Sequence, residues 1–180
     1  LSPISPSSSD FDVSAATEIV LNNGTLSGTG TGEFYGAVAL DDDSFLSASS
    51  GNELRLGDIY SLTADTGITK IGDGTVSLTD STNYEGDTNI NAGTLKLTGF
   101  ASMPGDGFGG GATNVIITSG ATFDIEDRGA VIASLSGAGD IIMDGGGIQS
   151  YDDTSNNYEF TGQITGDGGF QIWGSNALTL

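Results

Sequence analysis

One short phrase recurs along the chain and limits what the chain can fold into. The phrase is an apolar residue, two small polar residues, glycine, Thr or Ala, and then alternating apolar positions. Copies begin at Leu21, Ile71, Ile90 and Ile117. Each copy predicts a strand, a tight corner at a residue that can take a positive φ, and a second strand whose alternate side chains face inward.

The spacing of the copies indicates a solenoid. The last three copies lie roughly 20 to 30 residues apart, which is the span of one solenoid turn. No stretch of a dozen residues shows the helical spacing of apolar positions, and 30 glycines with only 3 prolines in 180 residues are typical of a turn-rich β protein. The chain is therefore predicted to be an all-β parallel β-helix, with roughly 8 coils of about 22 residues each.

The alternating positions of the phrase also predict the core. Fully buried aliphatic side chains stabilise a fold by about 1.5 to 3 kcal/mol each, so the inward row should hold the structure together. The predicted core residues are Ile90, Leu95, Leu97, Val115, Ile117, Phe123 and Ile125.

The N-terminal residues differ in composition from the remainder. Residues 1–10, LSPISPSSSD, are rich in Ser and Pro, which predicts an extended arm or linker. The alternative is a segment that covers the edge of the first coil. Residues 11–180 are predicted to form a single β-helix domain.

A longer repeat is also visible. Residues 57–79 align with residues 160–180 at a shift of 102, which places repeat boundaries near residues 68 and 170. In this alignment Trp173 stands where Ile71 does, and this favours a packing role for Trp173.

Several phrases between residues 62 and 180 follow one another in the order of a known bacterial repeat. They are Ile71-Gly72-Asp73-Gly74-Thr75-Val76-Ser77-Leu78, Asn83-Tyr84-Glu85-Gly86-Asp87-Thr88, Ile90-Asn91-Ala92-Gly93-Thr94-Leu95-Lys96-Leu97 and Ser119-Gly120-Ala121-Thr122-Phe123-Asp124-Ile125. The chain thus resembles the autotransporter-associated β-strand repeat family of passenger domains. The resemblance implies a right-handed parallel β-helix, secreted or displayed at the cell surface of a Gram-negative-type bacterium. It implies no particular activity, because the repeat is a scaffold in proteins of differing function.

The charge and the missing residue types exclude several classes of function. The chain carries 24 acidic residues, 4 basic residues and no histidine, for a net charge of -20. Such a surface repels phosphate backbones and anionic headgroups, which argues against nucleic-acid partners and electrostatic membrane binding. With no cysteine and no histidine, disulfides, thiolate metal sites and the familiar nucleophilic triads are absent. No run of 18 apolar residues exists, so no membrane insertion is expected.

These observations predict a non-enzymatic structural or adhesive segment of a secreted bacterial surface protein. It would act as a stalk, an adhesin scaffold or an extracellular filament subunit, without a cofactor. Expected partners are a host or matrix carbohydrate or protein, and other copies joined end to end through terminal coils by strand addition.

The alternative is a carbohydrate-binding or polysaccharide-cleaving β-helix protein. Paired carboxylates can catalyse glycoside hydrolysis, and aromatic rings can stack on sugars. The candidate acids are Asp41, Asp43, Asp152 and Asp153, and the candidate rings are Trp173, Tyr84, Tyr151 and Tyr158. Adjacent aspartates on a strand face opposite sides, and this argues against the enzyme.

Two further features are candidate sites. The segment containing Gly105, Asp106, Gly107 and Phe108 is too glycine-rich for a strand, so it predicts a loop leaving the rod, either for binding or simply as a flexible connection. Asp73, Asp140 and Asp144 lie in Gly-Asp turns of the kind that bind calcium. Because these turns are isolated rather than tandem, ordinary solvated corners are favoured over calcium sites.

Overall fold

The computed structural model describes residues 18–104, 113–152, 158–174 and 178–180, and these residues form short strands joined by turns. The first eleven strands are β1 Ile19–Leu21, β2 Thr25–Gly28, β3 Thr31–Phe34, β4 Val38–Leu40, β5 Ser44–Ala48, β6 Glu53–Leu56, β7 Ile59–Ser61, β8 Ile68–Ile71, β9 Thr75–Leu78, β10 Thr82–Asn83 and β11 Thr88–Ile90. The others are β12 Thr94–Leu97, β13 Asn114–Ile117, β14 Thr122–Asp124, β15 Gly129–Ile132, β16 Ser134–Gly137, β17 Asp140–Met143, β18 Gly147–Asp152, β19 Tyr158–Glu159, β20 Ile164–Gly166, β21 Gly169–Gly174 and β22 Leu178–Thr179. None of the described residues belongs to a helix long and apolar enough to cross a membrane.

The strands pair into five parallel sheets. Sheet A has the order β1-β4-β7-β10, sheet B β16-β13-β11-β8-β5-β2, sheet C β20-β17-β14-β12-β9-β6-β3, sheet D β15-β18-β21 and sheet E β19-β22. Every strand pair is parallel. Consecutive strands enter different sheets, and each strand pairs with its counterpart one turn later, so the chain winds into a β-solenoid. Sheet C has seven strands, which corresponds to about seven turns. The predicted parallel β-helix is confirmed, and its predicted coil count is close.

Apolar ladders run along the inside of the solenoid. In sheet C, Leu54, Val76, Leu95, Phe123 and Ile141 occupy equivalent positions on successive turns, and none is more than 5% exposed. All seven predicted core residues are fully buried. Each turn therefore buries its inward row against the turns above and below it.

One inward position of sheet B holds a charged residue. Lys70 lies between Leu46 and Ile90 in the register and is fully buried. Its neighbour Ile71, with which a copy of the recurring phrase begins, is only half-buried. The phrase thus predicts the strand correctly, but it places the inward side chains of β8 one residue too late.

The corners follow the phrase in some copies and not in others. Gly93 and Gly120 take positive φ values of 63° and 86°, as predicted for the corner glycine. In the copy that begins at Ile71, the positive φ of 76° belongs to Gly72 rather than to Gly74. The glycine content of the phrase is therefore a better predictor of a corner than of the residue that adopts the left-handed conformation.

The predicted arm, residues 1–10, lies outside the described residues, so the domain boundary at residue 11 stays a prediction. The longer repeat stays a prediction as well. At the shift of 102, Ile68–Ile71 aligns with residues 170–173, and these two segments lie in sheet B and sheet D respectively.

Candidate ligand-binding face

The outer face of sheet D carries glycine, glutamine and aromatic residues at repeated positions. β15, β18 and β21 pair in register, and alternate residues of these strands face outward. The outward residues form three rows. The glycine row is Gly129, Gly147 and Gly169, the amide row is Gln149 and Gln171, with Val131 at the equivalent position one turn earlier, and the aromatic row is Tyr151 and Trp173. The alternate positions Ala130 and Ile148 are buried, so the orientation of the three rows is fixed by the core.

A groove of about 440 Å³ runs over the glycine row and beside the amide row. This volume lies within the range of sites that hold small molecules. The floor of the groove is bare backbone, because a Cβ atom at Gly129 or Gly169 would meet nothing within 4 Å. A ligand can therefore approach the strands more closely here than over a face covered by side chains.

An aromatic pair borders the amide row. The rings of Tyr151 and Trp173 are stacked, with centroids 5.8 Å apart and planes within 2°. Tyr151 is 36% exposed and Trp173 is 51% exposed. Trp173 therefore packs on Tyr151 at the outer face of sheet D and not in the core.

An ion pair lies at the rim of the groove. Arg128 Nη2 is 2.5 Å from Asp127 Oδ1, and Arg128 Nη1 donates to the carbonyl of Gly99 at 2.7 Å. The hydrogen bond from Arg128 lowers the pKa of the Asp127 carboxyl. The two opposite charges cancel, so the rim of the groove carries hydrogen-bonding groups but little net charge.

The other three basic residues, all within the described part of the chain, are also engaged. Arg55 pairs with Glu33 at 3.6 Å, and Lys96 pairs with Glu126 at 2.6 Å, whereas Lys70 is buried. The hydrogen bond to Glu126 raises the pKa of Lys96. The surface thus offers no unpaired basic side chain to an anionic partner, in agreement with the net charge of -20.

The predicted calcium residues do not come together. Asp73 lies in the turn between β8 and β9, whereas Asp140 is the first residue of β17 and Asp144 directly follows the last. The Asp140 carboxylate accepts the backbone N–H of Gln163 at 3.3 Å. Among the described residues no group of three or more His, Cys, Asp or Glu side chains could hold a metal ion, and calcium at single turns stays a prediction.

The predicted binding loop, Gly105, Asp106, Gly107 and Phe108, lies outside the described residues. Its role in binding therefore stays a prediction.

The candidate catalytic acids that the structure describes lie in turns or at the end of a strand. Asp41 accepts a neighbouring Asn side-chain amide at 2.6 Å, and Asp43 accepts the backbone N–H of Gly67 at 2.8 Å. Both carboxylates thereby connect one turn of the solenoid to another. Asp152 ends β18, its side chain lies outside what the structure describes, and Asp153 lies outside the described residues.

The sequence carries a signal for the sheet D face that the recurring phrase does not capture. Gly147-Ile148-Gln149-Ser150-Tyr151 and Gly169-Phe170-Gln171-Ile172-Trp173 share the order glycine, apolar, glutamine, any residue, aromatic, at a spacing of 22 residues. The spacing equals the turn length that the phrase predicts. Because alternate residues of a strand face the same side, this shared order at a spacing of one turn predicts three rows on one face: glycines, glutamines and aromatic residues.

Comparison with known proteins adds two matches. Residues 68–97, which run from β8 to β12, match the passenger-associated transport repeat. The chain is 32% identical to the adhesin BmaC autotransporter of Brucella suis biovar 1 (strain 1330), over an alignment that covers 92% of this chain. The chain spans about 5% of the length of that relative. No solved structure matches the chain.

Proposed function

Because the chain belongs to the autotransporter passenger repeat family and to a secreted, cell-surface protein of a Gram-negative bacterium, we propose that it is a structural and adhesive segment of a passenger. The observation that carries this proposal is the identity of 32% to an adhesin across 92% of the chain, in a chain whose described residues form a continuous solenoid. The relative as a whole is far longer, so adhesion by this segment is part of the proposal.

The geometry supports a stiff spacer that presents fixed faces. Each turn advances the rod by about 4.8 Å, so seven turns span about 34 Å. The inward ladders of sheet C and sheet B run through successive turns, and bending the rod would disturb their packing. Outward side chains such as Gln149 and Trp173 are therefore held at fixed intervals on a rigid support, as adhesion to a surface requires.

We also propose that the segment is not an enzyme. The chain has no histidine and no cysteine, and Lys70, an amine that could otherwise serve as a base, is buried. Asp41 and Asp43 are engaged in hydrogen bonds between turns. Release of reducing sugar from a polysaccharide that is lost in Asp41→Asn or Asp43→Asn would contradict this part of the proposal.

We propose that copies of the chain associate with one another end to end. Ile132, Ser150 and Ile172 form one inward ladder of sheet D, and their exposed fractions are 0%, 9% and 44%. The backbone of β21 pairs with β18 on one side. A strand from a second copy that added along the other side of β21 would cover Ile172 and continue the ladder.

Adhesion can be tested with the purified chain coated on beads. We expect these beads to bind cultured epithelial cells or extracellular matrix more strongly than albumin-coated beads. Beads that carry Leu95→Asp, which disrupts the core, should lose the difference, because the faces depend on the fold. Equal retention of chain-coated and albumin-coated beads on both surfaces would contradict the adhesive function.

A further inference from the structure

We propose that the groove on the outer face of sheet D binds a neutral glycan, with the exposed ring of Trp173 stacking on a sugar and the amides of Gln149 and Gln171 bonding to its hydroxyls. The inference rests on the proposed adhesive function, and it names the chemical class of the ligand and the face that takes it.

The shape of the groove admits a flat ring near the backbone. Gly129, Gly147 and Gly169 repeat at the same position on three successive turns, so this row has no side chains of its own. The open space over Gly129 and Gly169 and the groove volume of about 440 Å³ suit one or two sugar units better than a folded protein domain. A protein partner would require a much larger complementary surface.

The amide row supplies the polar chemistry that sugars need. Gln149 and Gln171 are register partners on adjacent turns, and both side chains are exposed. A glutamine amide donates two hydrogen bonds and accepts others through its oxygen, so it matches hydroxyl groups, which also donate and accept. Two such amides one turn apart can bond to successive hydroxyls or successive sugar units.

The aromatic row, which borders the groove but does not line it, supplies the apolar contact. Trp173 stacks on Tyr151 with its plane held within 2° of the tyrosine ring, and about half of its surface is exposed. A ring held by a neighbour has little conformational entropy left to lose on binding. The apolar side of a sugar ring can pack on such a platform while its hydroxyls reach the amide row.

The charge distribution favours a neutral ligand over the charged alternatives. A net charge of -20, with its basic residues paired or buried, repels sialylated, sulfated or phosphorylated ligands. A basic peptide would be drawn to exposed carboxylates, but the charged side chains that line the groove are Asp127 and Arg128, which are paired with each other. The lining is thus close to neutral within an acidic molecule.

Binding can be tested on an array printed with neutral, sialylated and sulfated oligosaccharides. We expect the purified chain to bind at least one class of neutral oligosaccharide. Trp173→Ala and Gln171→Ala should each weaken that binding at least about tenfold, the loss typical of truncating a central contact. Binding should persist when salt is raised, because no charge pair carries it.

Matched controls separate the groove from the general surface. Gln163→Ala changes an exposed glutamine that does not line the groove, and Leu62→Ala changes an apolar side chain that is 55% exposed, close to the 51% of Trp173. Both controls should bind as the unchanged chain does, and circular dichroism melts should verify that all variants are folded. If Trp173→Ala does not fold, Gln149→Ala and Gln171→Ala on the exposed amide row still test the site.

Three outcomes would overturn the inference: no binding to any neutral oligosaccharide, stronger binding to the sialylated or sulfated forms, or equal binding by the two controls and the variants of Trp173 and Gln171. The bead assay distinguishes these failures from failure of adhesion. Beads whose attachment is unchanged by Trp173→Ala and Gln171→Ala would leave the adhesive function standing while removing the groove as its basis. Beads that do not attach, with glycan binding intact, would give the reverse result.

Discussion

The Nζ atom of Lys70 donates a hydrogen bond of 2.8 Å to the backbone carbonyl of Ala92, one turn further along the solenoid. The same ammonium donates to the carbonyls of Gly72 at 2.7 Å and Ile71 at 3.1 Å. One buried lysine therefore joins the corner after β8 to the corner after β11. A lysine at this interior position removes an apolar contact with the neighbouring turns. In return, its ammonium group donates charged hydrogen bonds to three backbone carbonyls.

Replacing this lysine should loosen the two corners. In Lys70→Met the apolar stem is kept while the three carbonyls lose their shared donor, so we expect the free energy of unfolding at pH 7 to fall by about 1–3 kcal/mol. Chemical denaturation measures the change. Lys96→Met is the control, since its outward ion pair should be worth at most about 1 kcal/mol. A Lys70→Met protein as stable as the unchanged chain would contradict the role of the buried ammonium.

The same lysine predicts how stability depends on alkaline pH. Burial lowers the pKa of Lys70 from 10.5 to about 8, with Asp73 partly opposing the change. Below pH 8 the amine is protonated in both the folded and the unfolded chain. Between pH 8 and about 10.5 the folded chain binds less of this proton than the unfolded chain does, so this group makes stability rise with pH.

The measurement is the difference in unfolding free energy between the unchanged chain and Lys70→Met, in which the other titrating groups cancel. This difference should grow by on the order of 2 kcal/mol between pH 7 and pH 10. A difference that stays constant over this range would show that the folded pKa is not lowered.

The fold could be predicted because its determinants are local. The recurring phrase contains both the corner glycine and the alternation of the following strand, and residues such as Leu95 and Phe123 are buried as that alternation requires. The inward position of Lys70 could not be predicted in the same way. Ile71 is apolar and Lys70 is charged, so hydrophobic alternation assigns them the wrong sides of β8; the register with Leu46 and the nearby carbonyls decides otherwise.

The candidate face depends on neighbours that are distant in sequence. Gln149 and Gln171 become adjacent only because β18 and β21 pair in register. The glycines likewise form the floor of a groove only when three turns are stacked. A search for dense glycine instead selects residues 105–108, which lie outside the described residues. In the sequence, the three rows are visible only between segments that lie one turn apart, such as residues 147–151 and 169–173.

Close packing between corners predicts unequal costs for two glycine substitutions. Gly93 has a φ of 63°, and a Cβ atom there would lie 2.4 Å from the carbonyl oxygen of Gly74. Gly120 has a φ of 86°, and a Cβ atom there would meet nothing within 4 Å. Gly120→Ala should cost about 1–2 kcal/mol for its left-handed backbone alone, and Gly93→Ala should cost more because the adjacent corner must also move. Denaturation of the two variants tests this, and equal costs would show that the corners do not constrain each other.

The stacked core predicts that one buried charge affects several turns. Leu95 is fully buried between Val76 and Phe123 in the sheet C ladder. Leu95→Asp places an unpaired carboxylate against both neighbouring turns, so we expect loss of cooperative unfolding and of hydrogen-exchange protection in β9, β12 and β14. Leu95→Met conserves volume and should cost less than about 1.5 kcal/mol. A normal melting curve for Leu95→Asp would contradict the continuous core.

The proposed end-to-end association makes a prediction about Ile172, which belongs to the inward ladder of sheet D and is 44% exposed. If a strand adds along β21, Ile172 is buried in the assembly, and Ile172→Lys would place a charge inside the new ladder. Light scattering over a range of concentrations should show association of the unchanged chain, stronger at high salt because screening weakens the repulsion between acidic rods. Association should be lost in Ile172→Lys and kept in Leu62→Lys, which adds the same charge at an exposed apolar position on another part of the rod. A chain that stays monomeric at high concentration and high salt, or one whose association survives Ile172→Lys, would rule out joining through this edge.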